Sequence, residues 1–457
     1  MREMGASDAY MYYANAGTAT TMEIKIPMVL AEPVRDEELS AAAGEALALF
    51  PEFAVRPVIL RDHPVFEENS APVRVIRAVE DGSFALDYGT EDTNGHVLFF
   101  LVDERDDRRV TFCYYHAMSD FVGGLALLKT ILYHYLLRLG QAELQSEETL
   151  AQAGIRACVP EGWDLLQNLD PYTCFAHAPE KDETPASAAP ASAAPGPAFT
   201  PPMPIFPAGS DYNHIYHVVV STSAFLQKAR SVGTSFAPLL VSVLAETVSE
   251  LYGADREPVV VHLPVDIRPI YGAHTVTNFS DGVQFRCDRA LLSLPLAERC
   301  ARLKESMAAQ RTKERFDRFL WDKAEGTRAF LRDPDGYLAV NARLNAPPAP
   351  CAPGEEPPAP VTFGLTYPGK LDLPPVIAGA VTHMGVESVI NLSKFFSIVS
   401  TYGDEMTIQL IQRFDGDELP NAVAHTLAEL GIEASVTDLG RRRQDRLAPW
   451  RLKTIDA

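Results

Sequence analysis

The alternation of apolar and polar positions divides this chain into strands and helices. Met22 to Leu30 (MEIKIPMVL) is apolar and β-compatible. Asp36 to Phe50 carries acidic residues in its first turn and an apolar stripe behind them, which predicts a helix. His96 to Val102 and Val110 to His116 flank the charged run DERDDRR and predict a hairpin with a buried second strand. Leu125, Leu128, Leu132, Tyr135, Leu136 and Leu139 recur at helical spacing, which predicts a helix over 122–139.

The later part of the chain repeats this mixture. His214 to Val220 and Pro258 to Pro269 read as strands, the second ending at an arginine. Ser235 to Gly253 reads as a helix with a glycine stop. Strands are expected at Asp281 to Cys287 and Val361 to Thr366, and a hairpin at Phe395 to Phe414 turning at YGDE. Helices fit Leu296 to Arg311 and Glu418 to Leu430. Long crossings mixed with hairpins predict an α/β fold of the α+β sandwich kind, with one mixed sheet per half.

Proline, alanine and serine dominate residues 177–209, which read as a linker because such a segment buries little apolar surface. A second proline-rich run, Asn345 to Val361, reads as a long loop. The expected organisation is therefore an N-terminal half over 1–176, a linker over 177–209, a C-terminal half over 210–440 and a basic tail over 441–457. That tail holds six basic residues (Arg441, Arg442, Arg443, Arg446, Arg451, Lys453) against Asp445 and Asp456. It reads as a solvated segment balancing an acidic body, or as a docking patch for an acidic carrier protein with Trp450 as its anchor.

Composition narrows the function classes. The chain has 457 residues and a formal charge of -21, which argues against nucleic acid or anionic membrane as partners. Six scattered cysteines with no CxxC pair argue against a zinc site or a disulfide framework. His63, His134, His214 and His217 show no ligand spacing, so no metal is expected. No apolar leader and no span of membrane length is evident, and a cytoplasmic protein is the expectation.

The chemistry gathers at TFCYYHAMSDFVGG, residues 111–124. His116 ends a strand just before a helix, the place where open α/β folds put reactive groups. Histidine is the usual general base because its ordinary pKa lies near operating pH. Asp120 can cap the helix that follows, or turn away from the ring to pair with a cation and fix the loop. No GxSxG supports a serine nucleophile. Cys113 lies three strand positions before His116 and faces the other way, as packing.

A buried strand, HxxxD, small residues and an amphipathic helix together resemble the HHxxxDG motif of the chloramphenicol acetyltransferase-like and condensation-domain superfamily, closest in pattern to bacterial alcohol acetyltransferases. Tyr115 stands where that motif has its first histidine, His116 where it has its catalytic one, and Phe121 where it has glycine. Val265 to Val283 resembles the family's second-half segment, and the resemblance implies that Arg268 holds Asp120. Leu365 to Pro374 resembles a late family strand, with Thr366 and Tyr367 at the substrate side. The resemblance implies two similar halves meeting at a central tunnel. It implies acyl transfer from a coenzyme A or phosphopantetheine thioester, with no permanently bound cofactor, to a small alcohol or amine. His116 would be the base. Asn278, Thr366 and Tyr367 are candidates for stabilising the oxyanion, and Tyr115 and Phe121 line the substrate site. An acyl carrier protein is the partner that the basic tail would meet. Because Tyr115 and Phe121 break the motif, a catalytically degenerate binding or docking module is the alternative.

Overall fold

The computed structural model describes residues 2–3, 23–60, 63–79, 86–160, 197–207, 210, 212–318, 320–321, 361–388, 393–443, 446–447 and 454–455. Most of the predicted linker and the proline-rich run up to 360 lie outside the described residues, as do Trp450 and Lys453.

The fold is mixed α/β with two mixed sheets. The first runs in the order Val381–Met384, Glu23–Leu30, Asp106–Tyr115, Leu98–Asp103, Val75–Ala78, with Glu387–Ser388 also paired to Glu23–Leu30. Its neighbours are antiparallel except Val75–Ala78, which lies parallel to Leu98–Asp103. Side chains on a strand alternate between faces. Ile24, Ile26, Phe112 and Tyr114 therefore pack with Leu39, Ala43, Leu127 and Ile131 of helices Asp36–Leu49 and Phe121–Arg138. Lys25, Pro27, Val29, Arg109 and Thr111 turn the other way.

The second sheet runs Ser280–Cys287, Val259–Asp266, Phe363–Thr366, Phe395–Tyr402, Glu405–Gln412, Tyr212–Ser221, Ala434–Arg443. Phe363–Thr366 is parallel to both its neighbours, and the other pairs are antiparallel. Helices Phe236–Tyr252, Leu296–Gln310 and Glu418–Glu429 supply the apolar layer behind it. Gly253 ends the first of these at φ 70°, a left-handed turn that glycine adopts without strain.

The inner faces of the two sheets enclose a chamber of about 370 Å³, lined among others by Lys25, Arg109, His217, Glu387, Gln409 and Arg442. Two features cross between the halves. Val381–Met384 and Glu387–Ser388, late in the sequence, complete the first sheet. Arg441–Arg443 of the basic run are the end of a second-sheet strand, while Arg446–Leu447 pairs with Asp87–Tyr88 and Thr454–Ile455 with Ile59–Leu60 of the first half. Over these residues the basic run is strand rather than a free tail. Arg441 pairs with Asp415 and lies over the rings of Phe206 and Tyr212.

Where the halves touch at the start of helix Phe121–Arg138, backbone meets backbone. A Cβ on Gly123 would lie 1.9 Å from the Val276 carbonyl oxygen and 2.2 Å from Ser119 Oγ. Only glycine allows this approach. Gly123→Ala should therefore destabilise the protein by about 1–3 kcal/mol, as overpacking does elsewhere. Gly44→Ala should instead stabilise it by about 0.5–1 kcal/mol, because Gly44 is mid-helix with nothing within 4 Å of its would-be Cβ. Urea titrations of both variants check the opposite signs; a neutral Gly123→Ala would contradict the close contact.

Candidate active site

The strand Asp106–Tyr115 ends one residue before His116, and the helix begins at Phe121. Residues 116–120 form the connecting loop, and three ties converge on its last residue, Asp120. The first is the helix cap, in which Gly123 N–H donates to Asp120 Oδ1 at 3.3 Å. The second is Tyr114, whose hydroxyl donates to the Asp120 carbonyl at 3.1 Å. Burial first, and then the Asp120 charge, push the Tyr114 phenol well above its ordinary pKa, so it stays a neutral donor. The third tie comes from the other half of the chain.

Arg268 grips Asp120 with both arms of its guanidinium. Its Nη2 donates to Oδ1 at 2.9 Å and its Nη1 lies 2.9 Å from Oδ2. The Phe279 N–H adds a 2.9 Å bond to Oδ2. Asp120 is 6% exposed and Arg268 7%. Every arm of the arginine is used: Nε donates to the Thr275 carbonyl, Nη2 also to that of Thr277, and Nη1 to Asp266. Burial pulls the Arg268 pKa down, but the Asp120 and Asp266 carboxylates outweigh it and hold the group above its ordinary value. Asp120 thus both caps the helix and pairs with a cation, so the two readings of its role are met together.

Asn278 fastens the same loop. Its Nδ2 donates to the carbonyls of His116, at 2.8 Å, and Ala117, at 3.1 Å. Ser119 Oγ donates to the Val276 carbonyl at 2.5 Å. The His116 ring is half-buried, and no hydrogen bond reaches its buried Nδ1 among the described residues. Among the described residues no carboxylate orients that nitrogen, since Asp120 is turned to Arg268. The arrangement is a braced loop carrying an uncommitted imidazole, and not a histidine–aspartate relay.

The remaining candidates are distributed as follows. Tyr115 is buried with its ring 6.0 Å from that of Tyr88. Phe121 opens the helix and belongs to the first-half core. Both N–H bonds of Asn278 are committed to loop carbonyls, so it positions the loop and has no donor left for an oxyanion. Thr366 ends its strand half-buried, pairing with Ile398 and turned away from the second-half core that holds Leu365. The structure does not bring Tyr367 to the loop: its ring stacks on Phe236 at 4.1 Å on the helix side of the second sheet. Among the described residues no group of histidines, cysteines and carboxylates could hold a metal ion. No single helix there is long and apolar enough to cross a membrane.

Ser119, Tyr114 and Asp266 are loop-bracing groups that sequence reasoning passed over. Ser119 lies inside the HxxxD run itself, and Asp266 two residues before the arginine, so adjacency was the available signal.

No protein-family model matches this sequence, and no curated protein does. Solved structures do. The first condensation domain of the calcium-dependent antibiotic synthetase, in complex with a substrate analogue, aligns with TM-score 0.58 at 13% identity, covering 94% of this chain and 95% of its own. F. sporotrichioides TRI101, complexed with coenzyme A and T-2, gives 0.56 at 13% identity over 96% and 100% of the two chains. Polyketide synthase associated protein 5 from Mycobacterium tuberculosis gives 0.56 at 13% over 94% and 99%. Identities this low establish the fold alone: two halves of the condensation-domain and chloramphenicol-acetyltransferase-like type, present along nearly the whole chain.

Proposed function

We propose that this protein transfers an acyl group from a coenzyme A or carrier-bound thioester to a small alcohol or amine, with His116 as general base. The observation that carries the reading is the loop. Two halves of the chain cooperate to hold one histidine on a braced backbone, its Nδ1 without a partner among the described residues. The complexes of similarly folded proteins with coenzyme A and with C8-CoA and Leu-SNAC favour a thioester as donor.

In this reading the unprotonated ring nitrogen of His116 takes the proton from the acceptor hydroxyl or amine as its oxygen or nitrogen attacks the thioester carbonyl. The new C–O or C–N bond forms, the C–S bond breaks, and the proton passes from the imidazole to the departing thiolate. A positioned base contributes about 10²–10⁴ in rate, or roughly 3–5 kcal/mol. The Thr366 hydroxyl is the candidate donor to the oxyanion. Asp120, Arg268 and Asn278 are positioning residues. The basic run, where it is exposed, would meet a carrier protein.

Burial of Tyr115 and Phe121 at the loop favours one rival, a docking module of the same fold without turnover. Thiol release from acetyl-CoA and longer acyl-CoAs, tested against a panel of alcohols and amines, separates the two. Turnover is expected, and His116→Ala should lower it about 10²-fold or more with Tm nearly unchanged. No thiol release from any pairing would leave the docking module as the better account, and full activity in a folded His116→Ala protein would remove the base.

A further inference from the structure

We propose that Arg413, Asn213 and Arg442 form a binding site for a compact oxyanion, a carboxylate or a phosphate, carried by a molecule that reaches between the two sheets. The three residues sit side by side, Asn213 and Arg442 on adjacent strands and Arg413 one residue past the end of the strand on the other side. Asn213 is the register partner of Arg442. Gln412 is the partner of His214, so Arg413 stands one step further along, beside Asn213.

Alternation places all three on the inner face. Leu410 and Phe414 belong to the second-half core and Ile411 to the first-half core, so Arg413 turns inward with Ile411. Tyr216 and Ile215 divide in the same way, so Asn213 turns inward with Ile215. Arg442 and Ile215 line the chamber.

What marks the row as a site is its incompleteness. Asn213 is 0% exposed, yet among the described residues neither its Nδ2 nor its Oδ1 has a hydrogen-bond partner. Buried amides are nearly always satisfied, so an orphaned one asks for a reason. Arg413 is half-buried, and among the described residues no hydrogen bond or ion pair reaches its guanidinium. Burial lowers its pKa. The more deeply buried Arg268 and Arg299 each pair with a carboxylate, and Arg413 pairs with none among the described residues. An oxyanion supplies what is missing: two acceptor oxygens for the planar fork of Arg413 and one for the Asn213 amide, with Arg442 on the far side. The Asn213 Oδ1 can accept from a hydroxyl or amide next to the charge. Of the three, Arg442 lines the chamber, whose about 370 Å³ lies within the range of small-molecule sites, ~300–1,000 Å³.

The role of this row as a substrate anchor rests on the acyl-transfer reading, but binding does not, so the test uses no turnover. The full chain is titrated calorimetrically with phosphopantetheine against pantetheine, and with succinate against succinamide. One charged probe should bind at least about tenfold tighter than its neutral counterpart, and which pair shows it tells phosphate from carboxylate. Arg413→Met and Asn213→Ala should each abolish that preference. Arg441→Met, on the opposite face, should keep it. Removing an unpartnered cation should leave Tm of Arg413→Met unchanged or raised. The site is refuted if neither charged probe is preferred, if the preference survives both inner-face substitutions, or if Arg413→Met lowers Tm or fails to fold, which marks a purely structural arginine.

Discussion

The bidentate contact between Asp120 and Arg268 organises the region where this protein's chemistry would occur. It joins residues 148 positions apart, one from each half of the chain, and both are almost wholly buried. A buried ion pair stabilises little by itself, because desolvating two charges offsets their attraction. Here the desolvation is met by further bonds. Asp120 also accepts from the N–H groups of Gly123 and Phe279, and Arg268 donates to two loop carbonyls and to Asp266. The pair is the centre of a saturated network, and the histidine loop is its periphery. That explains why Gly123 must lack a side chain: the helix start has to approach the 275–279 segment closely enough for the two charges to meet.

The fold is legible in the sequence where local physics decides. The periodic helices at 36–50, 122–139 and 235–253 and the hairpin at 395–414 lie within two or three residues of Asp36–Leu49, Phe121–Arg138, Phe236–Tyr252 and Phe395–Gln412. The aspartate's two alternatives were visible from HxxxD, but that both hold at once was not, because the second partner arrives from the other half. The crossing strands 381–384 and 387–388 escaped notice because they are short and complete a sheet begun 350 residues earlier. The last strand was hidden by its charge. Ala434–Arg443 ends in three arginines, which read as a tail, yet alternation sends Arg441 to Asp415 on one face and Arg442 to the chamber on the other.

The site itself divides along the same line. Tyr367 and Asn278 were placed near the chemistry by resemblance, but one stacks on Phe236 and the other commits both its N–H bonds to the loop. No sequence pattern could report the orphaned Asn213 and Arg413, since the lack of a partner is a property of the assembled sheets. The two halves thus do different work. The first carries the imidazole, and the second supplies the brace and a polar inner face beside the chamber.

A double-mutant cycle on Asp120 and Arg268, read by urea denaturation, tests this account most directly. Each alanine alone leaves the other charge buried and unpaired, which should cost about 3–5 kcal/mol. The double variant should cost much less than the sum. If Asp120→Ala instead costs about 1 kcal/mol, the value of a lost helix cap, and adds to Arg268→Ala without coupling, the aspartate serves its helix alone and the tie between the halves is not what holds the loop.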